Sequence, residues 1–129
     1  MKLEPLYERA YQLLDASKFN FNHGFYEISV IASVQALYIL INAKLIELGA
    51  DIPWYLDFDG LFRILDKYTG NSQINDIRRR ESEIIKNLDE IKVRLGYSVP
   101  LDMNKEKAYL IITFVERVFK ILNDVRSSR

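Results

Sequence analysis

Cysteine is absent from the 129 residues, so the chain carries no disulfide framework, no thiol nucleophile and no zinc–thiolate site. Histidine is nearly absent. The single His23 lies in a polar break with too few partners for a metal site or a His–acid pair, and it is read as a solvated or capping residue. The five glycines, at 24, 49, 60, 70 and 96, are too scattered to cradle a phosphate, and no serine sits in a nucleophile elbow. Acidic i, i+3 motifs with histidine, the mark of a di-metal bundle, are also missing. No catalytic residue, metal ligand or cofactor is therefore assigned. Charge of one sign is lacking too: eighteen basic residues balance eighteen acidic ones, so no global field draws the protein to nucleic acid or to a membrane.

What is present is a core. Hydrophobic residues make up 49% of the chain and aromatics 12%, which excludes disorder and suits a single domain over residues 1–129. Residues 28–43, ISVIASVQALYILINA, form a run of sixteen without a formal charge. A spanning helix needs about 20 mostly apolar residues, and this run also holds Ser29, Ser33, Gln35 and Asn42. It is read as the central buried helix of a bundle, with no membrane partner. The opening MKLEPLYERAYQLL lacks the apolar run of a signal peptide, and a cytoplasmic location is expected.

Periodicity predicts an all-α fold: an antiparallel up-and-down bundle of four main helices plus one short extra helix. Leu6, Tyr7, Ala10, Leu13 and Leu14 mark the first helix, with Pro5 in its first turn. FNFNHG breaks it, and Asn20 or Asn22 is the expected cap of a second helix from about Phe25 to Leu48. Pro53 interrupts the next linker, and Asp57 or Asp59 caps a short helix ending at Gly70. Asn71 or Ser72 opens a continuous fourth helix to about Leu95. Gly96 and Pro100 close that helix, and Asn104 caps a fifth reaching about Val125.

Two faces carry further expectations. The fourth helix follows a heptad of Ile74, Ile77, Glu81, Ile84, Leu88, Ile91 and Leu95, and the second has a column of Ile28, Gln35, Asn42 and Gly49. Glu81 either bonds Gln35 or Asn42 inside the bundle or lies at the stripe's edge and reaches solvent. On the last helix Ala108, Ile111, Ile112, Val115, Val118, Phe119 and Leu122 form a core face. Leu110, Phe114, Ile121 and Val125 form a second one. Leu110, Phe114 and Ile121 are accordingly the candidate interface of a homodimer.

The charge is uneven along the chain. Residues 1–64 carry five basic and eight acidic groups, residues 65–129 thirteen and ten. Arg78, Arg79 and Arg80 form the densest cluster, with Lys86, Lys92 and Arg94 beyond, and Tyr97 is the aromatic best placed near positive charge. These residues either hold phosphates or are neutralised by the helical pairs Asp76–Arg80, Arg79–Glu83, Glu90–Arg94 and Asp89–Lys92.

The order of these features resembles the HEPN family, whose name abbreviates higher eukaryote and prokaryote nucleotide-binding. SVQALYILINAKLIELGADIP places Gln35, Ala36, Lys44 and Gly49 where that family has its second-helix pattern; FDGLFRIL is similar to its short helix, and RLGY to its arginine–tyrosine corner. Many members are metal-independent ribonucleases in which a histidine follows an arginine by four to six residues, two such motifs meeting across a homodimer. Here Ser98, Val99 and Pro100 stand at those distances from Arg94, and Phe58 and Asp59 stand where relatives often have histidine. The resemblance implies a non-catalytic, homodimeric binding module for nucleotide or RNA at Arg94, Tyr97, Arg78, Arg79 and Arg80. It also implies pairing with a small nucleotidyltransferase, as in toxin–antitoxin-like systems. A divergent ribonuclease using Arg94, Tyr97 and His23 is the alternative, and a purely structural dimer the second. In an up-and-down bundle, His23 and Arg94 are expected toward opposite ends of one subunit, up to about 30 Å apart.

Overall fold

In the computed structural model, which describes residues 2–52 and 56–125, the chain forms six helices and, among the described residues, no strand. These are α1 (Glu4–Asn22), α2 (Tyr26–Glu47), α3 (Phe58–Thr69), α4 (Ser72–Arg80), α5 (Ser82–Gly96) and α6 (Lys105–Asp124). Pro53, the expected breaker, lies outside the described residues. The all-α expectation holds, and the helix count changes because the fourth expected helix is two. Glu81 leaves helical geometry (φ −121°, ψ 29°) although neither proline nor glycine is near. Its carboxylate instead takes two hydrogen bonds from the Arg117 guanidinium on α6, one of them 2.9 Å. The apolar ridge continues on both sides of the break. Ile74 and Ile77 are buried before it, and Ile85, Leu88 and Ile91 after it, with Ile84 only half-buried.

The centre of the molecule is α2. Val30, Val34, Ala36, Leu37, Leu40, Ile41 and Leu45 are all within the core, as a helix apolar on most sides requires. By length and apolarity α2 is the one described helix able to cross a membrane, yet 67% of its most apolar window is buried by the other helices. Its polar column is not a buried seam. Ile28 is 52% exposed, Gln35 and Gly49 face solvent, and the Asn42 amide donates to the Tyr38 carbonyl of its own helix. The expected bond from Glu81 to Gln35 or Asn42 therefore does not form.

Small residues let α1 and α2 approach closely. The buried Ser17 hydroxyl donates to the Ser29 carbonyl at 2.6 Å, and toward the other end of the pair the Tyr7 hydroxyl donates to Glu47 at 2.9 Å. Burial, reinforced by that carboxylate, raises the Tyr7 phenol well above its usual range. The buried Lys44 ammonium donates to the other Glu47 oxygen (3.1 Å) and to the Val125 carbonyl (2.9 Å), tying the end of α6 to α2. Neither Asn20 nor Asn22 caps α2. α1 runs on through Asn22, the Asn20 amide bonds back to the Ala16 carbonyl, and Phe25 opens α2 without a side-chain cap. Other caps match expectation: Asp57 accepts from the Gly60 amide, Asn71 from those of Gln73 and Ile74, and Asn104 from that of Lys107.

The core face expected on α6 is buried throughout, and Phe114 joins it. Its side chain is fully buried, with its ring 6.0 Å from that of Phe62. Phe114 therefore has a core place against Phe62 of α3 and is not an outward dimer contact. Of the other two candidates, Ile121 is half-buried and only Leu110, 51% exposed, projects outward. Phe114→Ala should therefore destabilise the fold by about 3–5 kcal/mol, as large-to-small changes at a filled core site do. Urea unfolding with an unchanged slope would record it; a loss under about 1 kcal/mol would mean the ring is not packed as described.

Candidate functional site

Three consecutive residues on a helix point about 100° apart, and Arg78, Arg79 and Arg80 meet three different surroundings for that reason. Arg78 reaches α3 and donates to Asp66 at 2.6 Å, beside the Asn75 amide on the same oxygen (3.1 Å). Arg79 stays on its own helix, donating to Asp76 (2.6 Å) and Asn75 (3.0 Å). Arg80 lines a cleft of about 570 Å³ between α4 and α6, with Arg117, Lys120, Glu81 and Asp124. The cluster is thus divided, and only Arg80 among the three has no ion pair among the described residues. Of the four expected helical pairs none forms among the described residues. Asp76 turns to Arg79, and Asp89 instead accepts the amides of Phe58 (2.6 Å) and Asp59 (3.3 Å) at the start of α3. Burial pushes the Asp89 carboxyl up despite those two donors.

Arg94 stands elsewhere, on the last turn of α5. Its Nη1 is 3.5 Å from the Pro100 carbonyl, and it lines an open cleft of about 330 Å³ with Glu90, Asp102 and Lys107. Tyr97 ends α5 and is 79% exposed. Beyond it, the Ser98 amide bonds the Leu95 carbonyl and the Val99 amide the Arg94 carbonyl, a paired helix stop that places Ser98 in the left-handed region (φ 55°). The ends of α1 and α2 use the same pairing with Gly24 (φ 81°) and Gly49 (φ 77°) in that place. The serine is held there at a local cost of about 1 kcal/mol.

The loop after Ser98 is tied to the start of α2. The Leu101 amide donates to Glu27 at 2.8 Å, so the end of α5 and the beginning of α2 share one end of the molecule. His23, four residues before Glu27, stands toward that same end, and the expected separation from Arg94 by a helix length is corrected. The reason is geometric: α3 and α4, about 18 and 14 Å long, do not traverse the length of α2, about 33 Å. His23 is exposed and stacked on Phe19 (centroids 4.2 Å apart), its Nδ1 2.8 Å from the Phe19 carbonyl. A carbonyl only accepts, so Nδ1 is the donor in this contact.

The family model for the HEPN domain matches residues 3–125. The chain belongs to the HEPN domain family. No curated protein and no solved structure matches it. Within this HEPN chain the residues of the second-helix pattern divide by role: Ala36 and Lys44 are buried and hold the bundle, whereas Gln35 is exposed. Among the described residues no three of its histidines, aspartates and glutamates converge as a metal site would require.

The largest cleft, about 680 Å³, contains none of the expected site residues. It lies between α1, α2 and α5, with Arg9, Gln12, Gln35, Tyr38 and Lys92 on its walls and Leu13, Val34, Ile39 and Leu95 along its apolar surface. The Lys92 ammonium donates to the Leu56 carbonyl (3.1 Å) and sits 4.1 Å from the Tyr38 ring centroid. Sequence reasoning missed this cleft because its residues come from four separate helices, Phe58 of α3 completing the lining. The one available signal was that Arg9, Gln12 and Gln35 sit at the polar edges of otherwise apolar stripes.

The Asp66 carboxyl is held below the usual carboxylate range by the Asn75 amide and then by Arg78. Its stabilising effect is thus complete above the ordinary value of 3.8 and is lost as pH falls through the lowered one. Asp66→Asn should cost about 1 kcal/mol at pH 7 and much less near pH 3. Thermal melts of both proteins across that range would check it, and a pH-independent difference would contradict the pairing.

Proposed function

We propose that this HEPN domain is a non-catalytic, homodimeric binding module that takes the phosphates of RNA or a nucleotide at the end bearing Arg94 and Tyr97. The observation that carries this reading is Arg94 itself. Among the described residues Glu90 forms no ion pair with it; it lines an open cleft with Glu90, Asp102 and Lys107, and Tyr97, three residues further on, is exposed. Arg80, with Lys120 in the same cleft, supports a second phosphate contact. Arg78 and Arg79, both ion-paired, drop out. The reading includes an antiparallel up-and-down bundle, supported by the two-ended pairing of α1 with α2. It also includes a cytoplasmic setting, a second copy met through Leu110 and a small nucleotidyltransferase as protein partner. The missing histidine after Arg94 supports the non-catalytic part. Single-stranded RNA should bind more weakly as salt rises, and Arg94→Gln should flatten that slope by about one charge. Arg78→Gln should leave it unchanged. Filter binding at several salt concentrations would check this, and identical slopes for wild type and Arg94→Gln would remove Arg94 from the site.

One observation favours a second reading, the divergent ribonuclease. His23 and Arg94 stand toward the same end of the subunit. Under the favoured reading, purified protein incubated with RNA without metal leaves it intact. Cleavage that disappears in His23→Ala would select the ribonuclease instead.

A further inference from the structure

We propose that the cleft between α1, α2 and α5, apart from the Arg94 end, is a binding site for a small aromatic anion: a flat ring system carrying one phosphate or carboxylate group. Its volume, about 680 Å³, falls within the range of small-molecule sites, roughly 300–1,000 Å³. Each wall presents side chains three positions apart, Arg9 and Gln12 on α1, Gln35 and Tyr38 on α2, and these project from one helix face. The charge of the lining is one-sided. In a chain with no net charge the cleft holds two cations, Arg9 and Lys92, and no carboxylate.

The polar groups are also unspent. Arg9 forms no ion pair and the amides of Gln12 and Gln35 no hydrogen bond among the described residues. Lys92 is fixed in place by the Leu56 carbonyl and the Tyr38 ring, and its ammonium retains a further donor. A neutral apolar ligand would desolvate both cations without answering them. An extended polyanion would need a track of cations, whereas these two sit over an apolar surface. A compact anion with a flat body satisfies both: the anionic group meets Arg9 and Lys92, and the two amides hydrogen-bond the edge of a ring lying against Leu13, Val34 and Tyr38.

Two probes separate the sources of such an anion, adenosine monophosphate for a phosphate and indole-3-carboxylate for a carboxylate. The whole chain would be titrated with each by calorimetry. Arg9→Gln and Gln35→Glu change exposed positions, so both variants should keep the wild-type melting curve. The expected result is saturable binding of at least one probe, weakened about tenfold or more by each substitution and unchanged by Arg94→Gln. Binding of the nucleotide alone would assign a phosphate ligand, and of the indole alone a carboxylate. The proposal is overturned if neither probe saturates, if Arg9→Gln and Gln35→Glu bind as wild type does, or if the loss follows Arg94→Gln. Because the RNA experiment reads Arg94 and this one reads Arg9 and Gln35, either site can fail without the other.

Discussion

Everything in this fold depends on covering α2. A helix of 22 residues with buried positions on nearly every side cannot be shielded by one neighbour, so α1, α3, α5 and α6 must all pack on it. One buried charge comes with it. Lys44 is 6% exposed, and a cation in that position is tolerated only when its donors are answered. Glu47 answers from the same helix and the Val125 carbonyl from the far end of the chain. A carbonyl at a helix C-terminus carries partial negative charge, which makes it an apt partner for a desolvated ammonium. The end of α6 is thereby fixed to the end of α2 by electrostatics as well as by packing.

The kink at Glu81 is the second organising feature. The buried residues continue across it, Ile74 and Ile77 before the break and Ile85, Leu88 and Ile91 after it. The break is held by the Arg117 guanidinium, whose charged form is stabilised first by its hydrogen bonds to Glu81. The same break divides the arginine run: Arg78 and Arg79 end as structural ion pairs, and Arg80 faces α6.

Electrostatics then divide the cations of a chain with zero net charge. Lys44, Arg78, Arg79 and Arg117 are engaged in internal pairs. Arg9, Arg80 and Arg94 are without an ion pair among the described residues, and each lines a different cleft. Among the described residues these three cations are therefore separate and form no continuous basic track.

Much was legible in the sequence because it rests on local physics. The apolar period, the caps Asp57, Asn71 and Asn104, the stops at Gly49 and Gly70 and the core face of α6 each depend on residues within one or two turns. Family membership followed from that same order of helices. What the sequence did not determine were the contacts between residues far apart in the chain. Arg117 on α6 meets Glu81 at the break in the long helix, Asp89 accepts amides at the start of α3 in place of its helical neighbour, and Phe114 packs against Phe62 in the core. The same applies to the ends: Glu27 meeting Leu101 brought His23 and Arg94 to one side. A charged side chain goes to whichever partner best offsets its desolvation, and that competition among distant partners was settled only when the tertiary structure brought them together.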